Sequence, residues 1–204
     1  MDPYLYQNIA GALGSKSIRV LKLAPGLPSD PLHGSLSLEN LNDGLKFEAV
    51  SYAWGRAAGH GTISCDGKPI RITTSLATAL VKLRYPSEER IIWVDQVCIN
   101  QKDLAERNQQ IRHMNWIYRK ASKVLVWLGE DQSGQAHHAF DLVSALSVIA
   151  ADSTLSAGFK EKKEEVNGWF PEHYWHALSA MLRLTWVSKH LELQQTILLI
   201  ICIL

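Results

Sequence analysis

Two short apolar runs, IIWV at residues 91–94 and VLVWL at 124–128, constrain the fold more than any other feature of the chain. Each is too short for a helix and has no polar face, so each reads as a strand covered on both sides, as internal strands flanked by helices are. Between them, starting near Asp103, the residues Leu104, Ile111, Met114, Ile117, Tyr118 and Ala121 recur at helical spacing while Arg107, Gln109, Arg112 and Arg119 face elsewhere. Upstream, Leu76, Ala79, Leu80 and Leu83 follow the i, i+3, i+4, i+7 pattern, with Thr74 or Ser75 in place as the cap. Strand, helix, strand, helix, strand implies right-handed crossovers, and hence an α/β fold with a mainly parallel central sheet flanked by helices.

The remaining segments fit around that frame. Residues 18–23 (IRVLKL) alternate apolar and basic side chains and predict a strand. Residues 24–44 are so rich in Pro, Gly, Ser and Asn that they predict a long loop holding at most one short strand. FEAVSYA at 47–53 predicts another strand, running into the turn WGRAAGHG, and TISCDGKPIRI predicts a small β-hairpin about Asp66-Gly67. Helices are expected over 136–151 and over 171–183, the latter with Pro171 in its first turn, and KEKKEE at 160–165 reads as a solvated linker or helix end. The chain thus divides into a lead-in at 1–46, a main domain at 47–186 and an apolar tail at 187–204.

Charge removes several classes of function. Lys and Arg total 21 against 20 Asp and Glu, so the chain as a whole projects no field that would recruit nucleic acid or an anionic membrane. Cys65, Cys98 and Cys202 lack the paired spacing of a zinc site or a disulfide framework, which predicts reduced structural thiols and no metal. The N-terminus has no basic start followed by a long apolar run, so a cytoplasmic location is expected. Residues 197–204 are unbroken apolar, yet at about 1.5 Å each they reach roughly 12 Å against a bilayer core of ~30 Å, so no membrane span is expected.

In sheets of this kind ligands sit at the carboxyl ends of the strands. There the sequence places the candidate substrate-binding residues: Ser51, Tyr52, Trp54 and Gly55 after one strand, and Asp95, Asn100, Gln101, Asp103 and Arg107 after another. Tyr52 and Trp54 offer faces for a planar ring, or else pack under the following loop. Asp95 is suited to orient a substrate hydroxyl, or to pair with Arg107 or loop amides. Asn100 and Gln101 are expected to close the loop, Asn100 through its own backbone. Gly55, Gly59 and Gly61 allow close approach of a phosphate, but no helix pattern follows them directly, so neither a dinucleotide fingerprint nor a P-loop is met. His173 and His176 share a helix face without a third ligand nearby, and Cys98 reads as a packing thiol. Asp103 and Glu106 carry the spacing of a capping box at the start of the second helix.

Three segments, FEAVSYAWG at 47–55, DGKPIRITTSLATALVKLR at 66–84 and RIIWVDQVCINQKDLAERNQQIRHMNWIYRKASKVLVWLGED at 90–131, together resemble the heterokaryon incompatibility (HET) domain family. The resemblance implies fungal nonself recognition and programmed cell death, acting through self-association or a regulatory sensor protein. It also implies a remote kinship with Toll/interleukin-receptor (TIR) domains, and so a TIR-like or flavodoxin-like sheet. Some TIR domains cleave NAD at the nicotinamide glycosidic bond with one glutamate near a helix start, and by position Glu106 is its counterpart, with NAD as substrate and no resident cofactor. Against that stands a non-enzymatic death-signalling module in which Glu106 only completes the helix cap. A third reading follows from the ending TWVSKHLELQQTILLIICIL, which departs from the Phe, Arg and Trp segment usual in the family: a frameshift or retained intron after Trp186 that leaves an inactive remnant.

Overall fold

The computed structural model describes residues 4–9, 16–55, 59–151, 170–184 and 186–187, which divide after Trp127 into two units. The expected 160–165 linker and nearly all of the 187–204 tail lie outside the described residues. The first unit is built on β1 (Ser17–Leu23), β2 (His33–Asn40), β3 (Glu48–Tyr52), β4 (His60–Cys65), β5 (Lys68–Thr73), α1 (Thr74–Leu83), β6 (Arg90–Trp93), α2 (Asp95–Cys98), α3 (Leu104–Lys120) and β7 (Lys123–Trp127). Its strands form one sheet in the order β5-β4-β2-β1-β6-β3-β7. The second unit contains α4 (Ala136–Ala151) and α5 (Glu172–Leu182), close to the two helices expected there, with Pro171 as the N-cap of α5.

The sheet is mixed, which corrects the expectation of a mainly parallel one. β3 pairs in parallel with β6 and with β7, and β2 with β4, but β1–β2, β1–β6 and β4–β5 are antiparallel. Two causes combine. β2, an eight-residue strand, lies inside the segment expected to be a long loop with room for one short strand; its sequence HGSLSLEN alternates Ser and Leu, but the surrounding Pro, Gly and Asn masked its length and its pairing. It folds back on β1 from Ser17↔Asn40 to Leu23↔Gly34, and β1 then sits antiparallel against β6, with Leu21 opposite Ile92. The helix-bearing β3, β6 and β7 keep the parallel arrangement that the apolar runs implied.

Local chemistry explains the other elements. Asp66 and Gly67 both have positive φ, 51° and 75°, the left-handed pair that a tight hairpin turn requires, and β4 and β5 close around them as expected. α1 starts one residue earlier than the sequence suggested: Thr73 is the N-cap, its hydroxyl accepting from the Leu76 amide. Leu76, Ala79, Leu80 and Leu83 point into the core as their spacing predicts. That core is continuous through Ile18, Val20, Leu21, Ile92, Trp93 and Leu80, all fully buried.

The inward face of α3 differs from expectation. Leu104 and Ile111 were expected among the core-facing residues, yet they are 61% and 52% exposed, while Glu106, Gln110 and Ile117 are buried. The polar pair faces inward because it has partners there. Gln110 Nε2 donates to the Ser17 carbonyl at 2.9 Å, and Glu106 meets Arg19. Satisfied polar groups can be buried, and the helix rotates to give them that face.

Candidate functional site

Three elements converge around Asp95. β3 ends at Tyr52, β6 ends at Trp93, and the one-turn helix α2 begins at Asp95 itself. Because β3 and β6 are parallel, their carboxyl ends open in the same direction, and the expected cluster of Ser51, Tyr52, Trp54 and Asp95 assembles there. Trp54 Nε1 donates to Asp95 Oδ2 at 2.9 Å, and the Trp54 ring stays 41% exposed. The Tyr52 hydroxyl donates to Gln96 Oε1 at 3.3 Å, and the same amide oxygen accepts from the Thr73 amide at 2.9 Å and from the Thr73 hydroxyl at 3.2 Å. Gln96 therefore locks the end of β3 to the start of α1.

The carboxylate at the centre is costly to ionise. Burial raises the Asp95 pKa, and hydrogen bonding, chiefly from Trp54 and then from the Gln96 amide, offsets only part of that shift. Its Oδ1 is shut off from solvent and takes no hydrogen bond of its own. Burial and the nearby Asp95 charge in turn raise the Tyr52 hydroxyl, and they push Tyr118, which bonds Ser51, up to about 12. Tyr118 also meets Trp93 edge-on, with ring centroids 5.9 Å apart. Gln96 and Tyr118 were not singled out from the sequence. The polar tip of Tyr118 at the end of an otherwise apolar helical stripe is the one signal that pointed to it.

Asp95 does not pair with Arg107. Among the described residues its carboxylate takes Trp54 instead, and Gln101 Nε2 donates to the Asp95 carbonyl at 2.8 Å. Asn100 closes the loop as its residue type suggests, its Oδ1 accepting from the Lys102 amide at 3.3 Å. Arg107 is half-buried, and its amide caps back onto the Asp103 carbonyl.

Glu106 occupies a different position from the one the capping-box reading gives it. Asp103 is the N-cap, with Oδ1 accepting from the amides of Ala105 and Glu106 at 2.9 and 3.0 Å. The reciprocal half is missing, because Glu106 reaches past Asp103. Its Oε1 accepts from the Asn100 amide at 2.6 Å and from Arg19 Nη1 at 2.6 Å, and its Oε2 from Arg19 Nη2 at 3.0 Å. Arg19 is 2% exposed and donates further to the carbonyls of Cys98 and Gln7, with its guanidinium 4.9 Å from the Tyr6 ring centroid. Both carboxylate oxygens of Glu106 are thus committed. Sequence reasoning missed Arg19 because alternation in IRVLKL suggested an outward basic side chain, whereas β1 is covered on both faces.

The glycines serve packing more than openness. A Cβ at Gly59 would lie 2.6 Å from Thr74 Oγ1 and one at Gly61 only 2.5 Å from Ala77 Cβ, so both let the chain press against the start of α1. Gly55 has φ +73° with nothing near its missing Cβ. Cys98 is buried, its thiol pushed up to about 12 by desolvation, and accepts from the Val94 amide at 3.4 Å. In the second unit His176 pairs with Glu172 at 3.2 Å, while His173 meets His138 edge-on with ring centroids 4.5 Å apart; no cluster of metal-ligating side chains occurs among the described residues. Nor is any helix among them long and apolar enough to cross a membrane.

No solved structure matches the chain. It is 35% identical over 140 residues to heterokaryon incompatibility protein 6, OR allele, of Neurospora crassa, an alignment covering 62% of this chain and 21% of that relative. The chain therefore corresponds to about a fifth of the length of the curated relative it matches. The family model described as heterokaryon incompatibility protein (HET) matches residues 47–191, a span that takes in β3 through α3, the Asp95 cluster and Glu106. With most of its length matched, this chain belongs to the heterokaryon incompatibility (HET) family.

Proposed function

We propose that the chain is the incompatibility module of a fungal nonself-recognition protein, and that its activation in the cytoplasm, by self-association or by a sensor partner, commits the cell to death. The observation that carries this reading is the placement of the family-matched segment. Residues 90–131 supply β6, α2, α3 and β7, so the matched sequence forms the part of the first unit that holds both Asp95 and Glu106. Inducible expression in a filamentous fungus tests it, with loss of viability on induction as the expected result. Normal growth while folded protein accumulates would refute the proposal.

A second reading, cleavage of NAD at its nicotinamide–ribose bond, is favoured by the half-open Trp54 ring held on Asp95 at the carboxyl ends of parallel β3 and β6. Trp54 offers a face to a planar ring, and a carboxylate in a poorly hydrated site stabilises the positive charge that develops on ribose as the bond breaks. In this reading Asp95 faces the sugar and Glu106 is a positioning residue: pinned by Arg19, it holds the Asn100 amide and so the loop below Asp95. Nicotinamide release from NAD by the self-associated protein is the assay. Release that is the same for the parent and for Asp95→Asn would remove Asp95 from the chemistry, and no release at all would leave the module non-enzymatic.

A further inference from the structure

Three imidazoles meet in the second unit, and each lies in the first turn of a helix. His137 and His138 are the second and third residues of α4, and His173 is the second of α5. Centroid to centroid, the His138 ring lies 3.8 Å from that of His137, 4.5 Å from that of His173 and 4.7 Å from that of Tyr174, so it joins the two helices. His138 is half-buried, and its Nδ1 is closed to solvent with no hydrogen-bond partner among the described residues. Neutral rings suit this arrangement, since they pack on one another and on Tyr174 as flat aromatic groups.

Charged rings do not suit it, for three reasons. A neutral imidazole can leave Nδ1 as a bare lone pair, whereas the imidazolium must carry an N–H there, and at His138 that N–H would have no acceptor. Protonating His138 together with His137 or His173 puts two positive charges on rings 3.8 or 4.5 Å apart. A cation in the first turn also faces the positive end of the helix dipole. Anions nearby do little to compensate. The Asp131 carboxylate is engaged by the Ala136 amide at 2.8 Å and the Ser133 hydroxyl at 2.9 Å, and Glu172 on α5 pairs with His176 at 3.2 Å. Desolvation, followed by the neighbouring His137 and His173, holds the His138 pKa below the ordinary histidine value of 6.5, against the opposing pull of Asp141 on α4.

We propose that His137, His138 and His173 make the α4–α5 pair a pH-sensitive joint, closed while the rings are neutral and opened when mild acid protonates them. Opening returns His138 to the ordinary histidine value, so the opened pair takes up protons that the closed pair refuses. Closure is therefore complete above 6.5 and is lost as pH falls below it. Hydrogen exchange of the full chain at about pH 7.5 and about pH 5.5, each rate divided by its intrinsic rate at that pH, tests the joint. Protection of α4 and α5 amides is expected to fall about tenfold per pH unit for each proton taken up on opening, with no such loss at Leu21 and Ile92 in the first unit. His138→Phe keeps a ring against His173 and Tyr174 without a titrating nitrogen, and is expected to remove most of the pH dependence. His176→Gln, at the exposed pair with Glu172, is expected to leave it as in the parent. An NMR titration of the parent's imidazole protons does not depend on how the phenylalanine variant folds, and it is expected to give His138 a midpoint below 6.5. A His138 midpoint at or above that value, protection in α4 and α5 that does not change with pH, or the same pH dependence in His138→Phe as in the parent would each overturn the proposal.

Discussion

At the scale of single residues, Arg19 and Glu106 form the interaction on which most depends. Removing one partner of a buried ion pair leaves the other charge desolvated, which costs about 3–5 kcal/mol. Arg19→Met is therefore expected to lower the unfolding free energy from a urea titration by that amount, and so to lower the midpoint, and Glu106→Gln by less, because the amide oxygen still accepts from Asn100. If Arg19→Met left the midpoint unmoved, the pair would not be structural. Asp95 behaves in the opposite sense. Its pKa is raised by burial, so between the unfolded and folded values the native state holds the proton more tightly, and stability falls as pH rises through that window. Asp95→Asn keeps an acceptor for Trp54 and removes the buried charge. Its stability at neutral pH is expected to equal or exceed the parent's, the gap closing on acidification. A loss at neutral pH that persists in acid would show that the carboxylate contributes through its hydrogen bonds instead.

At the scale of elements, what the sequence disclosed depended on whether one local signal dominated. The β4–β5 turn was legible because Asp66 and Gly67 can adopt positive φ cheaply, and α1 because its apolar stripe is uninterrupted. Asp103 was legible as a cap, and Asp103→Ala is expected to cost about 1 kcal/mol in a thermal or urea melt, since two first-turn amides lose their acceptor. β2 was legible only as a short strand that the loop could hold: its length and partners were not, and its antiparallel pairing with β1 is one of the pairings that make the sheet mixed. For α3 the boundary and period were right and the facing only in part: Met114, Ile117, Tyr118 and Ala121 pack on the core as their spacing implied, while Leu104 and Ile111 do not. The first half of the helix, whose inward positions are Glu106 and Gln110, cannot be oriented by hydrophobicity, because the groups that satisfy them, Arg19 and Ser17, lie about ninety residues away in sequence. The candidate site followed the same rule. Ser51, Tyr52, Trp54 and Asp95 were found from their positions after apolar strands, whereas Gln96 was not, because its role depends on Thr73.

At the scale of the whole molecule, protection should follow position in the sheet. β1 and β6 stand between other strands near its middle, while β5 and β7 are its edges. Native-state hydrogen exchange is expected to be slowest for amides of Leu21, Leu23 and Ile92 and faster along the outer side of β7. Uniform rates across the sheet would mean that it opens as a single unit. The position of β1 also bears on how the family segment can be handled. The matched residues begin at Phe47, yet the strand wedged between β2 and β6, along with the Arg19 guanidinium that neutralises Glu106, comes from further upstream. A chimaera spliced at residue 47 would inherit a gap in its sheet and a stranded anion, so a domain swap needs its junction ahead of Ser17.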